Sequence, residues 1–205
     1  MLNETGFDLW ADGYDRSVGL SDKQDTYPFA GYKQILNAIY NRVLSGPGKT
    51  VLDIGFGTGT LTARLYEQGC HIYGQDFSPR MLELARQKMP GAQLYQGDFS
   101  RGLAEELQAQ RYDAIIATYS LHHLTDHQKI QFIQQLKSLL RPGGGIYIGD
   151  VAFETRQELE ACRAQAGESW DDGEIYFVYE ELKPLIPELV FTKYSKCAGL
   201  LELIT

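Results

Sequence analysis

Clustered positive charge is the first thing this sequence lacks. Its 205 residues carry 19 Lys and Arg against 27 Asp and Glu, a formal net charge of -8 with no dense basic run. A large nucleic-acid partner is therefore disfavoured, because phosphate neutralisation needs grouped Lys and Arg. No stretch approaches the roughly 20 consecutive apolar residues of a membrane span, so no membrane partner is expected. The opening MLNETGFDLW has neither the charged nor the apolar region of a secretory signal. Cysteine is scarce: Cys70, Cys162 and Cys197 are few, odd in number and far apart. They match no disulfide framework or zinc spacing, and a reducing, cytoplasmic setting is expected. No internal repeat is visible. At 43% hydrophobic residues, the length suits one packed domain.

What is present is organised around Thr50–Thr62, TVLDIGFGTGTLT. A short apolar run (Val51, Leu52, Ile54) holds one carboxylate, Asp53, and is followed by Gly55, Gly57 and Gly59. An apolar run of this length bounded by glycines reads as a buried parallel strand. The glycines let the backbone turn and approach a ligand with no Cβ in the way. A helix starting near Thr58 would present its unpaired N–H groups to the same space. A nucleoside-sized site is thus expected at the carboxyl end of the first strand. The dinucleotide fingerprint G-x-G-x-x-G fails in both registers, since Thr60 and Thr62 stand where its third glycine or alanine belongs. That argues against an NAD(P)-dependent oxidoreductase. The run Asp53 to Gly59, D-x-G-x-G-x-G, instead resembles motif I of the class I S-adenosylmethionine-dependent methyltransferases. In that family the loop approaches the methionine part of the cofactor.

Further along, Tyr32–Leu44 has helical apolar spacing, closed by Gly46-Pro47-Gly48. Ile72 and Tyr73 read as a second strand with Asp76 at its end, 21 residues after Gly55. An acid at about that distance accepts the ribose hydroxyls of an adenosine. Ser78 and Pro79 already supply a helix start, which would leave Asp76 for the ribose. A helix over Pro79–Met89, a third strand over 92–96 and a fourth over Tyr112–Thr118 follow. Thr125 and Gln128 form a capping-box pattern, and Arg141-Pro142-Gly143 closes the helix that begins there. A helix over Phe153–Gln165 is expected next. Two final strands, Leu189–Tyr194 and Leu200–Ile204, would be joined by a turn containing Ala198-Gly199.

The order strand, Leu121-His122-His123-Leu124, helix, Leu140-Arg141-Pro142-Gly143-Gly144 also recurs in class I methyltransferases. TYSLHHLTD and GDVAFE resemble the YrrT group of bacterial methyltransferases, whose acceptor the resemblance does not assign. The likeness spans nearly the whole chain and is loosest in the last fifty residues. It implies a Rossmann-like α/β three-layer sandwich with a seven-stranded, mostly parallel sheet and a C-terminal antiparallel hairpin. The expected division is one domain, 1–205: a helical cap over 1–46, a cofactor-binding core over 47–150, and an acceptor-side insert with terminal strands over 151–205. The implied activity is methyl transfer from S-adenosylmethionine to a small-molecule acceptor, with S-adenosylhomocysteine as product. A non-catalytic binder of the same cofactor stays open, since binding and transfer use one loop.

On the resemblance, cofactor contacts fall to Asp53, Gly55, Phe56, Gly57, Gly59, Asp76, Phe77, Ser78, Met81, Thr118 and Tyr119. Asp98 would meet the adenine amino group and Phe99 pack on the base. Tyr14 belongs to a W-x-x-x-Y-D pattern (Trp10, Tyr14, Asp15) that folds over the cofactor in relatives. His122 and His123 are the candidates for a base, because imidazole titrates near neutral pH. His122 is expected to border the acceptor pocket. Trp170, Tyr176 and Tyr179 would line that pocket, with Asp171, Asp172 and Glu174 favouring a cationic acceptor. No metal site is expected, because Asp150 and the histidines are too scattered in sequence. Oligomeric state is not legible.

Overall fold

The computed structural model describes residues 27–205, so the expectation for Tyr14 lies outside the described residues. Chain order begins with α1 (Tyr32–Ser45), β1 (Thr50–Ile54), α2 (Thr60–Glu67), β2 (His71–Asp76), α3 (Pro79–Lys88) and β3 (Gln93–Gln96). After these come α4 (Glu105–Gln108), β4 (Tyr112–Thr118), α5 (Asp126–Ser138), β5 (Leu140–Phe153) and α6 (Arg156–Ala166). The chain ends with β6 (Phe177–Val178), α7 (Tyr179–Leu182), β7 (Val190–Lys193) and β8 (Ala198–Ile204). Strand order is β3-β2-β1-β4-β5-β8-β7, with the two-residue β6 pairing β5 off this path. β3 through β5 run parallel, while β8 runs antiparallel to both β5 and β7. This is the mostly parallel α/β sheet with a terminal antiparallel hairpin.

Alternation along the strands explains the layers. In β4, Ala114 and Ile116 belong to one apolar cluster and Ile115 and Ala117 to the other. The first cluster gathers Ile35 and Ile39 of α1, Leu61 and Leu65 of α2, Ala85 of α3 and Leu159 of α6. The second gathers Leu107 of α4, Phe132, Ile133 and Leu136 of α5 and Leu182 of α7. Strands covered on both faces need side chains that alternate between two apolar layers, and the continuous run YDAIIAT meets that need.

Several boundaries differ from the sequence reading for local reasons. Gly59 takes left-handed backbone (φ 73°) as the N-cap, so α2 begins at Thr60 rather than Thr58. Pairing of Leu140 with Tyr112 draws Arg141, Pro142 and Gly143 into the lead of β5, and α5 stops at Ser138. Phe153 pairs with Val178 and so finishes β5, which delays α6 to Arg156 behind its Thr155 cap. Ala198 and Gly199 pair with Val151 and Asp150, so they open β8 and the turn falls on 194–197. The capping box of α5 is present as expected: Thr125 and Gln128 bond reciprocally. Among the described residues no helix is long and apolar enough to cross a membrane.

Helix α1 seats directly on β5. A Cβ at Gly149 would lie 2.3 Å from Ile35 Cγ2 and 3.2 Å from Ile39 Cδ1. Gly149→Ala is therefore expected to destabilise by about 1–3 kcal/mol, as overpacking does, by prying α1 from the sheet. Urea unfolding of the two proteins checks this, and equal midpoints would contradict the packing described.

Candidate functional site

The carboxyl ends of β1, β2 and β4 open onto one cavity. β1 lies between β2 and β4, and the chain leaves it in opposite directions, so the loops splay apart there, the usual ligand position of an open α/β sheet. The glycine loop forms the floor. Gly55 and Gly57 both take positive φ (69° and 55°), which few side chains tolerate. At Gly55 a Cβ would also lie 2.5 Å from Ser120 Cβ, where Ser120 Oγ donates to the Ile54 carbonyl at 2.8 Å. β4 thus closes the loop from behind.

Of the expected cofactor residues, Asp53, Gly55, Phe56, Gly57, Asp76, Phe77, Met81, Phe99, Thr118 and Tyr119 line this cavity, joined by Tyr32, Thr58, Thr62 and His123. Gly59, Ser78 and Asp98 do not. Gly59 is the helix cap already described, and Ser78 caps α3, its Oγ accepting from the Met81 N–H at 3.1 Å. Asp98 is turned into its own loop, where Oδ1 accepts from the Ser100 N–H at 2.9 Å and the Ser100 hydroxyl at 2.6 Å. Nor is Asp76 left over by the Ser78 cap. It accepts the Gly57 N–H at 2.8 Å and the Ser78 N–H at 3.0 Å, tying the glycine loop to β2. Asp76 therefore stands at the cavity as an acceptor already engaged with the glycine loop.

Asp53 is the unusual group. It is 1% exposed; Thr62 donates to one of its oxygens, and Oδ1 has no hydrogen-bond partner among the described residues. Burial, outweighing the Thr62 bond and aided by nearby Asp76, pushes its pKa up to about 7. An ionisable acceptor of this kind, facing a cavity, suits a cationic ligand group. Tyr119 is the second unusual feature: it is the one non-glycine among the described residues at positive φ (51°). Strained backbone of this kind concentrates at ligand sites. Its N–H donates to the Gly149 carbonyl at 2.8 Å, and its ring packs in a triangle with those of Phe29 and Tyr32, each at 5.2 Å. No local pattern in the sequence foretells that conformation.

The histidine pair corrects the sequence reading. His123, not His122, lines the cavity. His122 is buried behind it because its Nδ1 is held 2.7 Å from Asp150 Oδ1. Burial opposes charge on His122, yet Asp150 and then Glu174 leave its pKa raised. His123 is pushed down to about 4 by burial and by neighbouring His122, so it is neutral at pH 7. A strap spanning 170–178 covers this region. The Ile175 N–H donates to the His122 carbonyl at 2.8 Å, and fully buried Lys129 of α5 bonds the Ile175 carbonyl while lying 4.5 Å from the Phe177 ring centre.

The aromatic residues proposed from sequence divide. Trp170 stacks on Tyr27 at 5.0 Å, and Tyr176 meets Trp170 edge-on at 4.9 Å. Those two form the packed body of the strap and do not line the cavity. Tyr179 is further removed, stacking on Phe191 and donating to the Leu189 carbonyl at 3.2 Å. Of the acids, Asp172 pairs with Arg163 at the surface, whereas Glu174 reaches His122. The fold brings together groups that lie far apart in sequence: His122, His123 and Glu174 converge, with one ligand atom of each within 4.8 Å of the others. Sequence separation concealed Glu174.

Comparison with known proteins agrees with this geometry. A family model described as a methyltransferase domain matches residues 51–144. An uncharacterized methyltransferase of Anoxybacillus flavithermus (strain DSM 21510 / WK1) is 40% identical over 160 residues, 78% of this chain and 72% of that protein. The uncharacterized methyltransferase YrrT of Bacillus subtilis (strain 168) is 38% identical over 164 residues, covering 78% and 74%. Among solved structures, magnesium protoporphyrin IX methyltransferase from Synechocystis PCC 6803 with bound SAH superposes with a TM-score of 0.70 at 19% identity, covering 96% of each chain. The DhpI-SAM-HEP complex gives 0.66 at 18% identity, covering 96% and 92%; these two likenesses speak to the fold. At close to 40% identity across most of both chains, the protein belongs to the methyltransferase family of these bacterial relatives.

Proposed function

We propose that this protein binds S-adenosylmethionine in the cavity above β1 and transfers its methyl group to a small-molecule acceptor by in-line displacement. The observation that carries the reading is the buried, half-satisfied carboxylate of Asp53 on the cavity wall. A cofactor with an ammonium group and no diphosphate fits a loop that offers an acidic acceptor and no basic side chain. Asp76, at the end of β2 on the same cavity, is the acid for the ribose hydroxyls, and Phe77, Met81 and Phe99 offer apolar surface to a base. When bound, S-adenosylmethionine supplies an electrophilic methyl on a sulfonium leaving group, with S-adenosylhomocysteine as product.

The protein's task is then chiefly to position the acceptor and exclude water. The Tyr32 and Tyr119 rings line the cavity, and Phe29 packs against both. His123, neutral and lining the cavity, can take a proton from an acceptor that arrives protonated. His122 positions the turn that carries His123, through Asp150.

Calorimetric titration with S-adenosylmethionine and S-adenosylhomocysteine tests the cofactor. Micromolar binding, on the order of -8 kcal/mol, is expected for wild type, and a loss of at least tenfold for Asp76→Ala. No binding by wild type would overturn the reading. Binding without transfer to a broad panel of amine, hydroxyl, thiol and carboxylate acceptors would instead make the protein a cofactor sensor.

Asp53→Asn is expected to act in opposite directions on stability and binding. In the ligand-free wild type a carboxyl of pKa about 7 stays protonated where the unfolded chain's is ionised. Stability is therefore lost as pH rises from about 4 towards 7. The asparagine variant escapes that loss, so between pH 5 and pH 8 its melting stability should gain roughly 2–3 kcal/mol on wild type. The same variant should bind S-adenosylmethionine more weakly. Wild-type affinity should fall as pH drops from 8 to 6 and Asp53 protonates. A variant equal to wild type in both respects would remove Asp53 from cofactor recognition.

A further inference from the structure

Behind the cavity, the fold assembles a cluster from which cofactor binding draws nothing and methyl transfer only the His123 imidazole. The turn at Leu121–His123 sets two consecutive imidazoles against each other, centroids 4.3 Å apart and planes at 68°. Asp150, fully buried in β5, fixes the first of them: its Oδ1 takes the Val151 N–H at 2.8 Å and faces His122 Nδ1 at 2.7 Å. With Nδ1–H given to that carboxylate, His122 presents the Nε2 lone pair on its far side. A carboxylate behind the ring is the usual means of orienting a ligating histidine.

Nε2 points at another acceptor. Glu174 Oε1 lies 3.4 Å away, beyond an ordinary N–H···O hydrogen bond, while its second oxygen accepts the Tyr176 hydroxyl at 2.7 Å. With His122 neutral, Nε2 and Oε1 are both acceptors, and either a proton on Nε2 or a metal ion is what can stand between them. Lys129, the buried cation nearby, does not serve: its ammonium is held by Asp126 at 3.0 Å, by the Ile175 carbonyl and over the Phe177 ring. Glu174 cannot swing far, because the Ile175 N–H is tied to the His122 carbonyl and β6 is paired to β5. Asp150 Oδ2, behind the ring, is a buried acceptor without a partner among the described residues.

We propose that His122, His123 and Glu174 form a binding site for a first-row divalent cation of the zinc type, with Asp150 as the positioning carboxylate behind His122. Two imidazoles and one carboxylate are a borderline donor set that suits Zn2+, Co2+ or Ni2+ and disfavours Mg2+ and Ca2+. Three protein ligands leave at least one coordination position open. Because His123 also lines the cavity, the cation would stand between the cavity and the strap, where an anionic acceptor atom is the group it would hold. Metal binding here stands independently of the cofactor reading.

The test is titration of the chelator-treated full-length protein with Zn2+ by calorimetry, and with Co2+ followed in the visible spectrum. One equivalent is expected, with a Co2+ ligand-field band of low-coordinate intensity. His123→Ala and Glu174→Gln should each weaken binding at least tenfold with circular dichroism unchanged. Asp150→Asn should weaken it roughly 10–100-fold without removing a ligand. His122→Ala removes a buried, bonded side chain and is the variant at risk of misfolding, so the other three decide. No stoichiometric uptake by wild type would overturn the site, leaving a proton as the occupant of the gap. Uptake unchanged in both His123→Ala and Glu174→Gln would overturn it equally, by placing the metal elsewhere.

Discussion

Burying one carboxylate at the end of a central strand sets the terms for the rest of this protein. Asp53 sits between β2 and β4 in a sheet covered on both faces, where an unpaired charge is costly. Thr62 of α2 bonds one oxygen, and nothing among the described residues bonds the other. A leucine in that place would pack with Val51 and Ile54. The strand instead carries a group whose protonation is driven up by its surroundings, and such groups gather where a ligand completes them.

The loops then arrange themselves about that acid. Gly55 and Gly57, both at positive φ, bring backbone to the cavity without side chains, and Gly59 caps α2 beside them. Asp76, one strand over, holds the loop by the Gly57 N–H. From the other side Ser120 and strained Tyr119, at the end of β4, close against it. Parallel strands deliver these carboxyl ends to one edge of the sheet, so residues from β1, β2 and β4 meet although more than sixty positions separate Asp53 from Tyr119.

What the sequence made legible follows from this geometry. Runs such as YDAIIAT and VLDI are long enough, and bounded clearly enough, to read as buried strands, and the spacing of Asp53, the glycines and Asp76 is local to one β-α-β unit. Asp98 was harder. Its neighbour Ser100 offers two donors within its own turn, and that short-range competition is invisible in a motif match. The strap was harder still. Trp170 and Tyr176 have the composition of a binding surface, but they pack on Tyr27 and on each other. Glu174 meets His122 only because β6 adds to the end of β5, a two-residue pairing with no periodic signal. Contacts made across fifty residues through irregular chain leave little trace in hydrophobic spacing.

Satisfied and unsatisfied polar groups separate structure from function in this interior. Lys129 is fully buried, yet a carboxylate, a carbonyl and an aromatic face meet its ammonium. Gln75 accepts the Ala104 N–H and donates to the Gly102 carbonyl, clamping the loop that leads to α4. The Tyr112 hydroxyl donates to the Leu107 carbonyl. Each of these closes its hydrogen bonds within the fold, as buried polar groups do when their work is architectural. Asp53 Oδ1 and Asp150 Oδ2 do not. One faces the cavity above β1, and the other stands behind the histidine pair on its flank. A fold that closes these groups has the means to close two carboxylate oxygens as well. Leaving acceptors open at these two places lowers the stability of the ligand-free protein, because a buried polar atom without a partner forfeits the hydrogen bonds that water would give it.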